Sequence, residues 1–205
     1  MANYCCLNDT EQYSEKYMKK AGKREHLIKV AAEIFNRYGY HAAGVDLVIA
    51  EAGIAKTTLY RHFKSKDELI VAALTRIDEE FREAMREAVD KSASEPKDKI
   101  LATFDFLEAW FKDDVFYGCP FMGAASEHDN RDHPVFQAAI LHKRLSLAYL
   151  EELAYAAGLN DPKELAAEIN LLHEGAASVA HVSGKPEVAA MAKSIAEKLI
   201  EAASI

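Results

Sequence analysis

An all-α chain of about nine helices is what this sequence predicts, on three observations. Apolar residues recur at helical spacing through most of the chain, Gly, Pro and capping signals separate the periodic stretches, and no stretch alternates apolar with polar residues as a half-buried strand does. With 205 residues, 50% of them hydrophobic, the chain can bury one large core or two smaller ones.

Residues 1–18 are polar and aperiodic and are expected to form a flexible tail. The run Met18-Lys19-Lys20-Ala21-Gly22-Lys23-Arg24 after it is a candidate natural start and a lysine-rich arm able to reach phosphates. The first helix is predicted from Lys23 to Tyr38, with Leu27, Val30, Ala31, Ile34 and Phe35 on one face and Gly39 as its stop. A second runs from Val45 to about Ala52, its inner face Val45, Val48, Ile49 and Ala52, and Gly53 allows the left-handed exit. The third starts at Ala55 or Lys56 and reaches Phe63. It buries Leu59 and Phe63 and leaves Lys56, Thr57, Thr58, Tyr60, Arg61 and His62 on its other faces. Helix, glycine turn and polar second helix describe a helix-turn-helix, whose second member enters the major groove of DNA.

Ser65-Lys66-Asp67-Glu68 reads as a capping box that starts a long helix to about Ser92. Pro96 opens a helix to Lys112, and Gly118-Cys119-Pro120 precedes a short one ending near Glu127. A polar loop from His128 to His133 leads to a helix over Pro134–Ala157. Asp161-Pro162-Lys163-Glu164 combines an acidic N-cap, a proline at the first helical position and a glutamate at the third. It opens a helix to Val182, and Ser183-Gly184-Lys185-Pro186 turns into a last helix ending near Ala203. The expected division is tail 1–18, helix-turn-helix 19–66, and a larger helical part 67–205.

The net charge of -8 is unevenly spread: residues 19–76 hold eleven Lys and Arg against six Asp and Glu, and the remainder is acidic. A basic N-terminal third can bind DNA within an acidic protein, because the local field at the phosphates is what counts. Cys5, Cys6 and Cys119 make no disulfide framework, no segment approaches the run of about eighteen apolar residues of a spanning helix, and no signal-peptide core is present. A cytoplasmic location without a membrane partner is expected. No catalytic constellation appears, so the chain reads as a non-enzyme without cofactor. The loop Glu127-His128-Asp129-Asn130-Arg131-Asp132-His133 has donors for a metal, but its spacing is not diagnostic and Arg131 would oppose a cation, so no metal is assigned.

The stretch Gly53-Ile54-Ala55-Lys56-Thr57-Thr58-Leu59-Tyr60-Arg61-His62-Phe63, followed by Lys64-Ser65-Lys66-Asp67-Glu68-Leu69, resembles the operator-binding signature of the TetR family of bacterial transcriptional regulators. The resemblance is strong over roughly residues 24–75. It implies an N-terminal three-helix DNA-binding domain, a larger helical ligand-binding and dimerisation domain, double-stranded operator DNA and a small-molecule effector as partners, and a homodimer through the last two helices. The DNA-contacting set it implies is Gly44, Lys56, Thr57, Thr58, Tyr60, Arg61, His62 and Lys66. Thr58, Tyr60, His62 and Lys66 would serve phosphates, and Lys56, Thr57 and Arg61 would read bases. Ala43, Gly44 and Ala55 stand where the family often has Ser or Thr, which removes hydroxyl caps.

Downstream, Phe104, Leu107, Trp110, Phe111, Phe116, Tyr117, Phe121, Met122 and Tyr149 are core candidates, and a subset is expected to line an effector pocket with His173 as a polar orienter. The expected function is a ligand-responsive repressor. The alternatives are a ligand-independent activator of the same fold and a helical small-molecule or metal-binding protein that does not bind an operator.

Overall fold

In a computed structural model of the chain, the backbone is described over residues 10–204 and the side chains over residues 22–204. Nine helices and no strand occur among the described residues: α1 (Thr10–Tyr38), α2 (Val45–Ala52), α3 (Lys56–His62), α4 (Lys66–Ser92), α5 (Pro96–Phe111), α6 (Pro120–Ser126), α7 (Pro134–Ala156), α8 (Pro162–Ser183) and α9 (Val188–Ala202). Among the described residues no helix is long and apolar enough to cross a membrane.

The expected tail lies outside the described residues up to position 9, and from Thr10 the backbone is helical, which corrects the reading of residues 10–18. That segment has no Gly or Pro to stop a helix, and local backbone bonding needs no apolar period. Gly22, at φ 74 and ψ 156, breaks α1 in a backbone region that is essentially glycine-only, so a separate helical segment begins at Lys23 as predicted. The side chains of Lys19 and Lys20, the proposed arm, lie outside the described residues.

Two compact units result: residues 1–80 with 120–140, and residues 81–119 with 141–205. The expected boundary at 66/67 does not coincide with them, because contacts far apart in sequence place α6 in the first unit. Tyr40 donates its hydroxyl to the Pro120 carbonyl at 3.0 Å. The Glu127 carboxylate accepts the backbone N–H of Tyr40 at 3.0 Å and of His41 at 2.5 Å, and meets the His41 ring at 3.1 Å. Gly39, at φ +86, is required here: a Cβ on it would lie 3.0 Å from the Glu127 carboxylate.

In this unit α1 packs on α2 and α3. Leu27, Ala31, Phe35, Val48, Leu59, Phe63, Leu69 and Leu74 are fully buried. Arg76 pairs with Glu25 of α1 and, one turn along α4, with Glu80. The capping box of α4 forms with one change: Ser65 Oγ accepts the Glu68 amide at 3.1 Å, while Glu68 reaches back one residue further than expected, to the Lys64 amide at 2.7 Å.

The second unit is built on α5, α8 and α9, which pack on one another. Its core includes Val89, Ile100, Phe104, Leu107, Leu150, Leu165, Ile169 and Ile200. At the start of α8, Asp161 is not the side-chain cap the sequence predicts. It has left-handed backbone, φ 45 and ψ 54, and makes no capping bond. A capping side chain needs an extended backbone at that position, and here the preceding Asn160 amide is held by the Ala203 carbonyl at 2.9 Å.

Burial pushes the Glu127 carboxyl up, but the Tyr40 and His41 amides and the His41 ring outweigh it and hold its pKa below the ordinary carboxylate value. A carboxylate depressed in the folded state contributes stability above its unfolded pKa, and that contribution is lost as pH falls through the folded value. Glu127→Ala is expected to cost about 1–3 kcal/mol at neutral pH by leaving two amides without their acceptor. In denaturant titrations, the gap from wild type should close below about pH 4.

Candidate nucleic-acid interface

The turn between α2 and α3 is made by Gly53 at φ 62 and ψ 35, whose N–H bonds the Ala50 carbonyl at 3.2 Å, while the Ile54 amide bonds Ile49 at 3.3 Å. A His26 ring nitrogen lies 3.1 Å from the Ala52 carbonyl at the end of α2. Neither helix has a side-chain cap: Gly44 and Ala55 hold the N-cap positions with extended backbone and no capping side-chain bond, as their composition implies. The inner face of α2 is narrower than predicted, with Val48 and Ala52 buried and Val45 and Ile49 only partly so.

Leu59 and Phe63 are buried as predicted, and the Arg24 guanidinium covers the Phe63 ring at 5.1 Å. With this stripe inward, Lys56, Thr57, Tyr60 and Arg61 are exposed, and Thr58 and His62 partly exposed. Arg61 and Thr57 have no hydrogen-bonding or ionic partner among the described residues. Two of the candidate contacts are engaged inside the chain: Lys56 Nζ meets Asp46 Oδ1 at 2.8 Å, and Lys66 Nζ donates to the His41 carbonyl at 3.1 Å. The hydrogen bond and the charge of Asp46 raise the Lys56 pKa. Asp46 was missed by sequence reasoning, since it lies a helix and a turn away from Lys56. Gly44 is exposed beside it.

Of the ten residues expected around an effector, Phe121 and Met122 fall in the first unit and the others in the second. Phe104, Leu107, Phe111 and Tyr149 are core. Trp110 stands edge-on to Phe81 at 5.0 Å and to Phe116 at 4.8 Å, and Phe116 lies 5.0 Å from Phe111, so these rings fill one another's space. Tyr149 is covered by the Arg86 guanidinium at 4.0 Å, and burial raises its pKa. Met122 (56% exposed) and Tyr117 (38%) face solvent, which corrects their expected inward placement. On α6 the inner face is taken by Phe121 and Ala124, three residues apart, and Met122 falls off that stripe.

His173 stands edge-on to Phe104 at 4.4 Å, with Nε2 2.9 Å from Thr103 Oγ1. Burial lowers its pKa to about 3. Lys143 donates to Cys119 Sγ at 3.3 Å and pairs with Glu174 at 2.6 Å. Burial lowers the Lys143 pKa, but the Cys119 and Glu174 partners outweigh it and leave the pKa raised. An open cleft elsewhere in this unit is lined by Ser92, Glu95, Asp98, Asp105, Lys193 and Glu197 among others, polar groups rather than the aromatic set.

Residues 27–73 match the sequence model of the bacterial regulatory proteins of the tetR family. Over 90 residues the chain is 37% identical to the HTH-type transcriptional activator FasR of Mycolicibacterium smegmatis, an alignment that spans 42% of this chain and 41% of FasR. It is 26% identical over 164 residues to the HTH-type transcriptional regulator LmrA of Bacillus subtilis, spanning 77% of this chain and 86% of LmrA. The crystal structure of SCO4454, a TetR-family transcriptional regulator from Streptomyces coelicolor, superposes with a TM-score of 0.82 at 29% identity, covering 89% of this chain and 96% of that one.

Leu59→Ala is expected to destabilise the chain by about 2–5 kcal/mol in denaturant titrations, because it empties a fully packed site. Thr57→Ala should stay within about 0.5 kcal/mol of wild type. In an NMR titration of the imidazoles, His173 should remain neutral at about pH 5, well below the ordinary histidine value of about 6.5.

Proposed function

We propose that this chain, whose residues 27–73 match the tetR-family model and which resembles LmrA and SCO4454 over most of its length, is a TetR-family transcriptional regulator that acts as a homodimer, binds operator DNA and releases it when a small effector binds. The observation that carries the reading is the outward face of α3. Buried Leu59 and Phe63 orient the helix, so Thr57, Tyr60 and Arg61 stand exposed together. Residues 19–66 are then the DNA-binding part, and 67–205 the effector-binding and dimerisation part.

In this reading α3 enters the major groove. Arg61 pairs with a guanine edge, worth about 1–3 kcal/mol of discrimination, and Thr57 and Lys56 read neighbouring bases. Lys56 must exchange Asp46 for DNA, which an exposed ion pair allows at little cost. Thr58, Tyr60, His62 and Lys66 hold phosphates, with Gly44 at the backbone-facing start of α2.

The dimer is supported by what α8 and α9 leave uncovered. Leu165, Ile169, Ala176 and Ala180 of α8 and Ala189, Ala192, Ala196 and Ile200 of α9 are buried, while Leu171, Val179, Val182, Met191 and Ile195 are exposed. A second copy covering that apolar face removes it from water and places a second α3 for the next half-site. An effector bound in the second unit must bind the DNA-free state more tightly to release the operator. A coupling of about 1–3 kcal/mol suffices. Repression is the reading adopted for the sign of regulation, and because FasR is an activator, a reporter assay has to decide it.

Gel shifts with the DNA upstream of the chain's own gene are expected to show tight binding that weakens steeply with salt. The Lys56→Ala/Arg61→Ala double variant should lose the shift while keeping its helical content. Absence of a shift with wild type would favour the helical binding protein without operator affinity. In sedimentation, wild type should run as a dimer and Val182→Glu/Leu171→Glu as a monomer, since each buries a charge in the proposed face.

A further inference from the structure

At the capping box of α4, the side chain of Asp67 comes together with two histidines that lie far from it in sequence. Asp67 in the first turn of α4, His128 just after α6 and His133 just before α7 present ligand atoms all within 4.8 Å of one another. His133 Nε2 is 3.3 Å from Asp67 Oδ2. At zinc–ligand distances of about 2.0–2.1 Å, neighbouring ligands of a tetrahedral ion stand about 3.3 Å apart, so this pair already has the required separation.

The His128 ring is oriented for the same purpose. His128 holds the Ala124 carbonyl through Nδ1 at 2.7 Å, so its proton is on Nδ1 and the Nε2 lone pair is left for a cation. His133 stacks on His128 with ring centres 4.7 Å apart. Its Nδ1 has only a long contact, 3.4 Å, from the Val135 amide, and that contact can yield the site to a proton on Nδ1.

Arg131, the cation of this loop, is engaged with a ring of α7. Its guanidinium lies over the Phe136 ring at 5.5 Å. Of the other charged groups, Lys66, next to Asp67 in sequence, donates to the His41 carbonyl, and the Glu127 carboxylate meets the His41 ring, whose ring centre is 5.1 Å from that of His128.

We infer that Asp67, His128 and His133 bind one divalent transition-metal ion of the zinc class. Two imidazoles and one carboxylate suit zinc, cobalt or nickel better than magnesium or calcium, which prefer oxygen ligands alone. Three protein ligands leave a fourth position for water, and all three residues are partly exposed, so an ion can enter from solvent. Bound there, the ion ties the first turn of α4, next to Lys66, to the segment between α6 and α7.

The test uses the full-length chain, free of any affinity tag and stripped with a chelator. Titration calorimetry with zinc, and visible absorption with cobalt, should report one ion per chain in a four-coordinate nitrogen and oxygen field without a thiolate band. Asp67→Asn keeps the shape of the side chain and is the deciding variant. It and His133→Gln, each compared as folded protein by circular dichroism, should weaken binding by about 100-fold or more. Cys5→Ser/Cys6→Ser should bind like wild type. No binding to wild type, unchanged binding in Asp67→Asn, or loss of binding in the cysteine variant would each overturn the inference. The titration needs no DNA, so its failure leaves the operator-binding reading untouched.

Discussion

Seven residues of helix do not hold together in water, because nucleation costs more than so few backbone bonds return. α3 has that length and neither of its ends has a side-chain cap. It persists because Leu59 and the closing Phe63 are buried against α1 and α2, with the Arg24 guanidinium over the outer side of the Phe63 ring. The same burial settles which way the helix faces. Once Leu59 and Phe63 point inward, helical geometry leaves Thr57, Tyr60 and Arg61 no direction except outward. Stability and recognition are therefore two consequences of one hydrophobic contact.

The approach to α2 is set by polar contacts of longer range. The His41 peptide is bracketed: its N–H is held by Glu127 and its carbonyl by Lys66. Tyr40, one residue earlier, is fastened at its amide by Glu127 and at its hydroxyl by the Pro120 carbonyl. These bonds place α6 in the same unit as the helix-turn-helix. They also give Lys66 a second occupation, since a lysine that turns to a phosphate must release the His41 carbonyl. Asp67 of the proposed ion site follows Lys66 in the first turn of α4, at this same junction.

In the second unit, apolar side chains divide between two directions. α5, α8 and α9 satisfy one another through small and branched residues, and the aromatic rings of α5 and the segment after it pack edge to face. What they leave outside is itself apolar, with Val182 84% exposed and Leu171 73%. A helix pair that is apolar on two faces has one face more than its own unit can cover, and the proposed dimer takes up the other.

Helix order, the glycine turn at Gly53, the core positions Leu59 and Phe63 and the exposed face of α3 were legible in the sequence, because each depends on residues within a few positions of one another and on a fixed helical period. Helix α4 began where Ser65 and Glu68 said it would for the same reason. Asp161 was misread as a side-chain cap because a capping residue type does not determine its own backbone angles, which the Ala203 contact helps to set. The aromatic set was read as one group, yet tertiary structure divided it between two units and turned Met122 outward. Asp46 against Lys56, Glu127 against the amides of Tyr40 and His41, and Asp67 beside His133 came only from the folded chain. Such pairings join residues from different elements, and local periodicity carries no information about which distant surfaces will meet.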